Sequence, residues 1–418
     1  MPGLLYPAYQ KLYSALVSLD RFNKEANFFD NISCIDTFFA EYRNVTFVLQ
    51  KALKHTEFFG VYETNRDRYL TDQWFVKQRN GITKERPFQL IKELKMVVFL
   101  PFGGFHLRSQ SFSIEDDAPL CSLLDEIKTI LSSVNEREVF FSAYFSFHEK
   151  GSDIDLLKKL SNGVIAMLAF MDSMDKSIGE DCPLCDELKS RINELGIPHV
   201  PLEYLLVNDY VYYPDIDKFE RADRFALICS PNRGKVFDRC SITLLTESKY
   251  FNYDGTIFGN FTLMHASIKC RDPKADIFPA ILIAFRDGSF DLEAFQSSMK
   301  TTVYRKLFET AQIVKNEDVF EVCYMNIYLV ASLNEERMHM TSKERQKLAT
   351  SEIMACASID CNLNEKEYVF DGEKLKEAEY VFLEMEKGYG HKLDITRSNL
   401  FPIWYAFKCK RENEESLK

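Results

Sequence analysis

DNISCIDTFFAEYRNVTFVLQKALKHT, residues 30–56, is the stretch whose reading decides the fold of the N-terminal half. Ile32, Ile35, Phe39, Tyr42, Thr46, Leu49 and Leu53 recur at steps of three and four residues. That spacing lines one face of an α-helix, because a helix returns to the same face every 3.6 residues. Asp30 and Asn31 are good capping types for its start, and Lys54-His55-Thr56 closes it. Arg43 and Asn44 stand in the middle of this otherwise greasy helix. Upstream, Tyr9, Leu12, Leu16, Leu19 and Phe22 make a second amphipathic face, with Pro7 near its start, where a missing amide costs little. Downstream, a third helix is predicted after Asn65-Arg66-Asp67, carrying Leu70, Trp74 and Phe75 to Arg79, until Pro87 forces a break.

Beyond residue 95 the texture changes. Met96 to Leu100 and Glu138 to Phe147 are rich in Val, Phe and Tyr and read as strands around a helix near Leu120 to Ser132. Helical spacing returns from Ile154 to Met174 and from Cys185 to Leu195, and Pro198 and Pro201 mark a boundary. In the second half, 225–229, 241–246, 261–269, 281–285, 319–331 and 368–370 read as strands, and 292–315 and 373–387 as helices. The charged tail from Lys408 is predicted to fray. The resulting fold class is α+β. A helical domain over residues 1–200 carries a strand-rich insertion at about 95–150, and an α+β domain of unassigned role covers 201–418.

The 418 residues are 46% hydrophobic, enough for a sizeable core, and carry a net charge of −11. The chain start lacks a basic, apolar leader, and the longest greasy run, Val164 to Met171, is far short of a membrane span. Eleven scattered cysteines fit free thiols in a reducing cytoplasm. The acidic total disfavours general coating of nucleic acid. Residues 77–95 run against it, with Lys77, Arg79, Lys84, Arg86, Lys92 and Lys95 facing only Glu85 and Glu93, a local charge of +4. Such a patch suits a phosphate backbone, with arginine supplying paired planar donors. No nucleotide-binding glycine loop, H-E-x-x-H motif or nucleophile elbow is present, so neither a cofactor nor a metal is expected. Cys182-Pro183-Leu184-Cys185 lacks the second ligand pair of a structural zinc site and, with 177–181 not a strand, the setting of a thioredoxin-like pair; it reads as helix-start cysteines, with a zinc shared between copies left open. Thr341 or Ser342 is predicted to cap a helix, and Asp215, Asp217 and Asp223 to lie in a solvated loop.

Tyr42-Arg43-Asn44-Val45-Thr46-Phe47 together with Arg79-Asn80-x3-Lys84-Glu85 resembles the HEPN superfamily, in particular a bacterial group with a HEPN-like helical domain. The resemblance covers residues 5 to 95 and a returning helix near 154–174. It implies an RNA-directed protein, a metal-independent endoribonuclease in bacterial stress or phage defence, with its site formed across a homodimer. In that reading Arg79 stabilises the scissile phosphate, Asn80 positions it, Lys84 neutralises charge, and Arg43 and Asn44 support from the neighbouring helix. Lys84 stands where HEPN ribonucleases carry histidine. A lysine ammonium stays protonated near neutrality unless buried or crowded by cations, so it does not readily alternate as base and acid. Arg79 and Lys84 also lie about 140° apart on a regular helix, unless Gly81 breaks it. The alternative is a non-catalytic HEPN-like module for dimerisation or partner binding.

Overall fold

A computed structural model describes residues 3–22, 28–101, 107–118, 120–195, 206–222, 225–229, 234–235, 256–296, 300–330, 340–388, 395 and 398–416. The fold class is α+β. The chain divides into two compact units. The first holds residues 1–95, 113–127 and 143–207, and the second holds 96–112, 128–142 and 208–418.

The first unit is mainly helical. α1 (Tyr6–Asp20), α2 (Phe28–Leu53), α3 (Phe59–Tyr69) and α4 (Gln73–Lys84) are followed, after strands, by α6 (Leu156–Ile178) and α7 (Pro183–Glu194). α2 packs on α1, α3 and α4, α3 packs on α6, and α1 on α7. Ile35, Phe39, Tyr42, Thr46, Leu49 and Leu53 are buried along α2, as the spacing predicts. The third predicted helix misses α3: Asn65-Arg66-Asp67, its predicted start, lies inside α3, and the helix through Trp74 and Phe75 is α4, which runs on past Arg79 to Lys84. Asp72 takes an extended conformation and its carboxylate accepts the Trp74 N–H at 3.0 Å, so α4 starts afresh there. That N-cap at Asp72 was not read from the sequence.

β1 (Leu90–Leu100), β2 (Arg108–Glu115), β3 (Val139–Glu149), β4 (Leu206–Tyr213) and β5 (Lys218–Arg221) form a sheet ordered β2-β1-β3-β4-β5, and α5 (Leu124–Ser132) precedes β3.

The second unit is built on a seven-stranded sheet. β6 (Phe225–Cys229), β7 (Gly234–Lys235), β8 (Ala280–Phe285), β9 (Ser289–Gln296), β10 (Val319–Val330), β11 (Ser351–Asp360) and β12 (Glu365–Asp371) run in the order β12-β11-β10-β8-β9-β6, with β7 also on β9. α8 (Ile257–Arg271), α9 (Lys300–Asn316), α10 (Ser342–Gln346), α11 (Ala378–Gly388) and α12 (Phe401–Ser416) complete it. Its core joins Phe258, Phe261 and Ala266 of α8 to Leu282, Cys323, Met325, Cys356 and Phe370 of the sheet.

Several expectations fail here. α2 starts at Phe28, ahead of Asp30 and Asn31, which lie inside it, and the helix expected from 373 starts only at Ala378, after a turn. Residues 261–269 lie in helix α8, not a strand. Six of the segment's nine residues are buried in a broad arc that includes Thr262, His265 and Ser267, so its apolar positions show no clear helical period, and the helix starts at a Thr256 cap. Residues 292–296 belong to β9, and the helix begins only at Lys300. The tail does not fray at Lys408, because α12 runs to Ser416 with Ile403, Ala406 and Phe407 buried. The Thr341 cap is present as a full capping box with Glu344. Segment 241–246, Pro198, Pro201 and Asp223 lie outside the described residues.

His265 is buried in α8, its Nδ1 2.7 Å from the Phe261 carbonyl oxygen. Burial pushes the imidazole down to about 4, against the pull of that hydrogen bond. The folded state therefore holds a neutral ring where an unfolded chain would bind a proton. Its stability is full above the ordinary histidine pKa of about 6.5 and falls as the pH drops toward 4, by about 3 kcal/mol at that end. Urea unfolding of the parent and His265→Gln between pH 7 and 4 should show this increment in the parent and a flatter dependence in the variant.

Candidate functional site

Tyr42 and Phe75 set the site. Tyr42 is buried on α2, stacks on Phe75 of α4 at 4.7 Å between centroids, and donates its hydroxyl to the Gly163 carbonyl of α6 at 2.9 Å. Burial pushes its phenol well above the ordinary value. A Cβ on Gly163 would run into the Phe75 ring, so glycine lets α6 approach α4 this closely. Helical spacing does the rest. Arg43 follows Tyr42 on α2, and Phe47 lies one turn beyond it. Arg79 lies one turn beyond Phe75 on α4.

These side chains converge. The Arg43 guanidinium sits 4.4 Å and that of Arg79 5.6 Å from the centre of the Phe47 ring, which is 42% exposed. Arg66, on α3, lies over Tyr62 at 5.8 Å. Burial lowers the Arg43 pKa, the Tyr62 phenol opposes this, and Arg79 and Arg66 lower it further, as expected where like charges are crowded. Arg43 donates to Thr46 Oγ1 at 2.6 Å and Arg79 to Asn80 Oδ1 at 3.1 Å. Among the described residues neither arginine has a carboxylate partner, whereas Arg66 pairs with Asp67 at 2.7 Å. A cavity of about 430 Å³ opens beside them, lined by Arg43, Thr46, Arg66, Tyr69, Asn162 and Gly163 among others.

The predicted residues separate into two groups. Arg43 and Arg79 meet at Phe47, and Asn80 is held by Arg79. Asn44 turns instead to Glu41, at 3.5 Å. Lys84 is the exposed last residue of α4, and the helix runs unbroken through Gly81, so Gly81 does not bring Arg79 and Lys84 to one face. The basic run also divides. Lys92 is only 7% exposed and lies on the Phe145 ring at 4.1 Å, and Lys95 pairs with Glu93. Arg66 and Phe47 were not read as site residues. The signal for Arg66 was its position one turn after Tyr62.

Cys182 is the N-cap of α7 and its sulfur accepts the Cys185 N–H at 3.4 Å. Among the described residues, no three histidine, cysteine or acidic side chains are grouped to hold a metal ion, and no helix is long and apolar enough to cross a membrane. Compared with protein-family models, curated proteins and solved structures, the chain matches none.

Gly163→Ala tests the packing under the site. The added methyl must displace Phe75 and with it the Tyr42 stack, so the variant should lose about 1–3 kcal/mol in urea unfolding, the usual scale of overpacking. Adding Phe75→Leu should recover part of that loss.

Proposed function

We propose that the helical unit is an RNA-directed, HEPN-like module that grips a phosphodiester between Arg43 and Arg79. The observation that carries this reading is the pair of guanidinium groups that, among the described residues, have no carboxylate partner and converge on one half-exposed aromatic ring. Guanidinium groups offer paired N–H donors that match phosphate oxygens. A bound phosphate would offset the repulsion among Arg43, Arg66 and Arg79. The guanidinium planes and the Phe47 edge offer stacking surfaces for a neighbouring base, the usual means of holding single strands. The chain's acidic total restricts such binding to this face.

Binding without cleavage is the better-supported form of this reading. A metal-independent nuclease needs a proton acceptor beside the gripped phosphate. The carboxylates lining the cavity are Asp67 and Asp72, and each is engaged by a cation, Arg66 and Lys159 respectively, at 2.7 Å. Lys84 lies on another face of α4. Homodimerisation and a role in bacterial stress or phage defence rest on the HEPN resemblance alone.

Fluorescence anisotropy with a labelled single-stranded RNA, in EDTA and at several salt concentrations, tests the reading. Arg43→Gln/Arg79→Gln should weaken binding about tenfold or more and lower the salt slope by about 1 for each lost phosphate contact, while Lys84→Gln binds as the parent does. Equal affinity of the parent and the double variant would sink the proposal. RNA cleavage in EDTA that Arg79→Ala abolishes would establish the ribonuclease instead.

A further inference from the structure

The start of α7 carries chemistry that the arginine site does not use. Cys182 caps the helix, Pro183 takes the first helical position, and Cys185 lies one turn further on. The Cys182 sulfur accepts the Cys185 N–H at 3.4 Å, at the positive end of a helix of 12 residues. The chain start is tied down beside it, with the Leu4 N–H held by Glu180 at 2.7 Å.

We infer that Cys182 and Cys185 are a dithiol–disulfide couple that exchanges with small disulfides, with Cys182 as nucleophile and Cys185 as resolving thiol. The two thiols differ in the way this assignment needs. Burial works to raise both, but hydrogen bonds from Cys185 and Gly3 hold Cys182 below its ordinary value, whereas Cys185 is pushed up to about 12. The Cys182 thiolate attacks one sulfur of a small disulfide, forming a mixed disulfide and releasing a thiolate that takes up the proton Cys182 gave up. Cys185 then loses its proton to solvent, and its sulfur attacks that of Cys182. A second small thiolate leaves and is protonated. Two protein thiols are oxidised and one small disulfide is reduced to two thiols. Cys182 is 6% and Cys185 3% exposed, so exchange waits on local opening at the start of α7. This inference is independent of the RNA reading.

Full-length protein equilibrated in glutathione buffers from fully reduced to fully oxidised, acid-quenched, alkylated and peptide-mapped by mass spectrometry tests it. A single Cys182–Cys185 disulfide should form, with its reduced and oxidised fractions following a two-electron equilibrium. Cys185→Ser should accumulate a glutathione mixed disulfide on Cys182, and Cys182→Ser should form neither product. A pair that stays reduced in fully oxidised buffer would overturn the inference, and that titration needs no variant. So would a Cys185→Ser protein, folded by circular dichroism, whose adduct sits on the exposed Cys121 and not on Cys182.

Discussion

Three helices of the first unit are held at one point, where the Tyr42 hydroxyl reaches the Gly163 carbonyl and Phe75 fills the space a side chain at 163 would take. The point is dry and aromatic, with Phe38, Phe39, Trp74 and Phe88 stacked around it. A buried phenol without a partner would be costly, so the Gly163 carbonyl fixes the height of α6 against α2. The Phe75 ring then fixes the height of α4. Arg43 is one residue from Tyr42 and Arg79 one turn from Phe75, so the convergence of these two on Phe47 follows from core packing. It does not depend on loops.

Placing three arginines together works against folding, because like charges repel and Arg43 is partly withdrawn from water. The packing beneath supplies the compensation, and a bound anion would supply more. A ligand that binds only the folded form adds to its stability by mass action. A site built this way is poised for binding before the ligand arrives, because the guanidinium groups are held by Thr46, Asn80 and the Phe47 ring. Preorganisation of that kind reduces the ordering cost that long flexible side chains otherwise impose on recognition.

The sequence made the helical part legible where a helix has one wet face and one dry face. α1 and α2 are such helices, and their stripes predict their buried residues. The reading fails where the dry face is too broad to show a period or where a cap replaces it. α8 buries a broad arc that mixes apolar residues with Thr262, His265 and Ser267, and α4 begins at an aspartate cap just after α3 ends. The strands 206–213 and 351–360 were passed over, although β11 has Cys356 and Ser358 on the central strand's register. Arg43 and Arg79 were picked by motif, and their meeting could not be read from spacing, because it depends on the approach of α2 to α4. Lys84 illustrates the converse. A motif counts residues, but a continuous helix decides which of them share a face.

α6 joins the two chemistries of the first unit. Gly163 sits under the arginine site, and Gly179 ends the helix in a left-handed turn just before Glu180 and Cys182. At 1.5 Å per residue the two ends of that span lie about 24 Å apart. That is more than twice the screening length of about 10 Å in moderate salt, so the charge state of the thiols is not felt electrostatically at the arginines. Influence between them must therefore be mechanical, carried by α6 as a packed rod. At Gly163 that rod is seated directly against the Phe75 ring, which blocks its sliding toward α4, while Asn162, Ala166 and Met167 of the same helix line the open cavity.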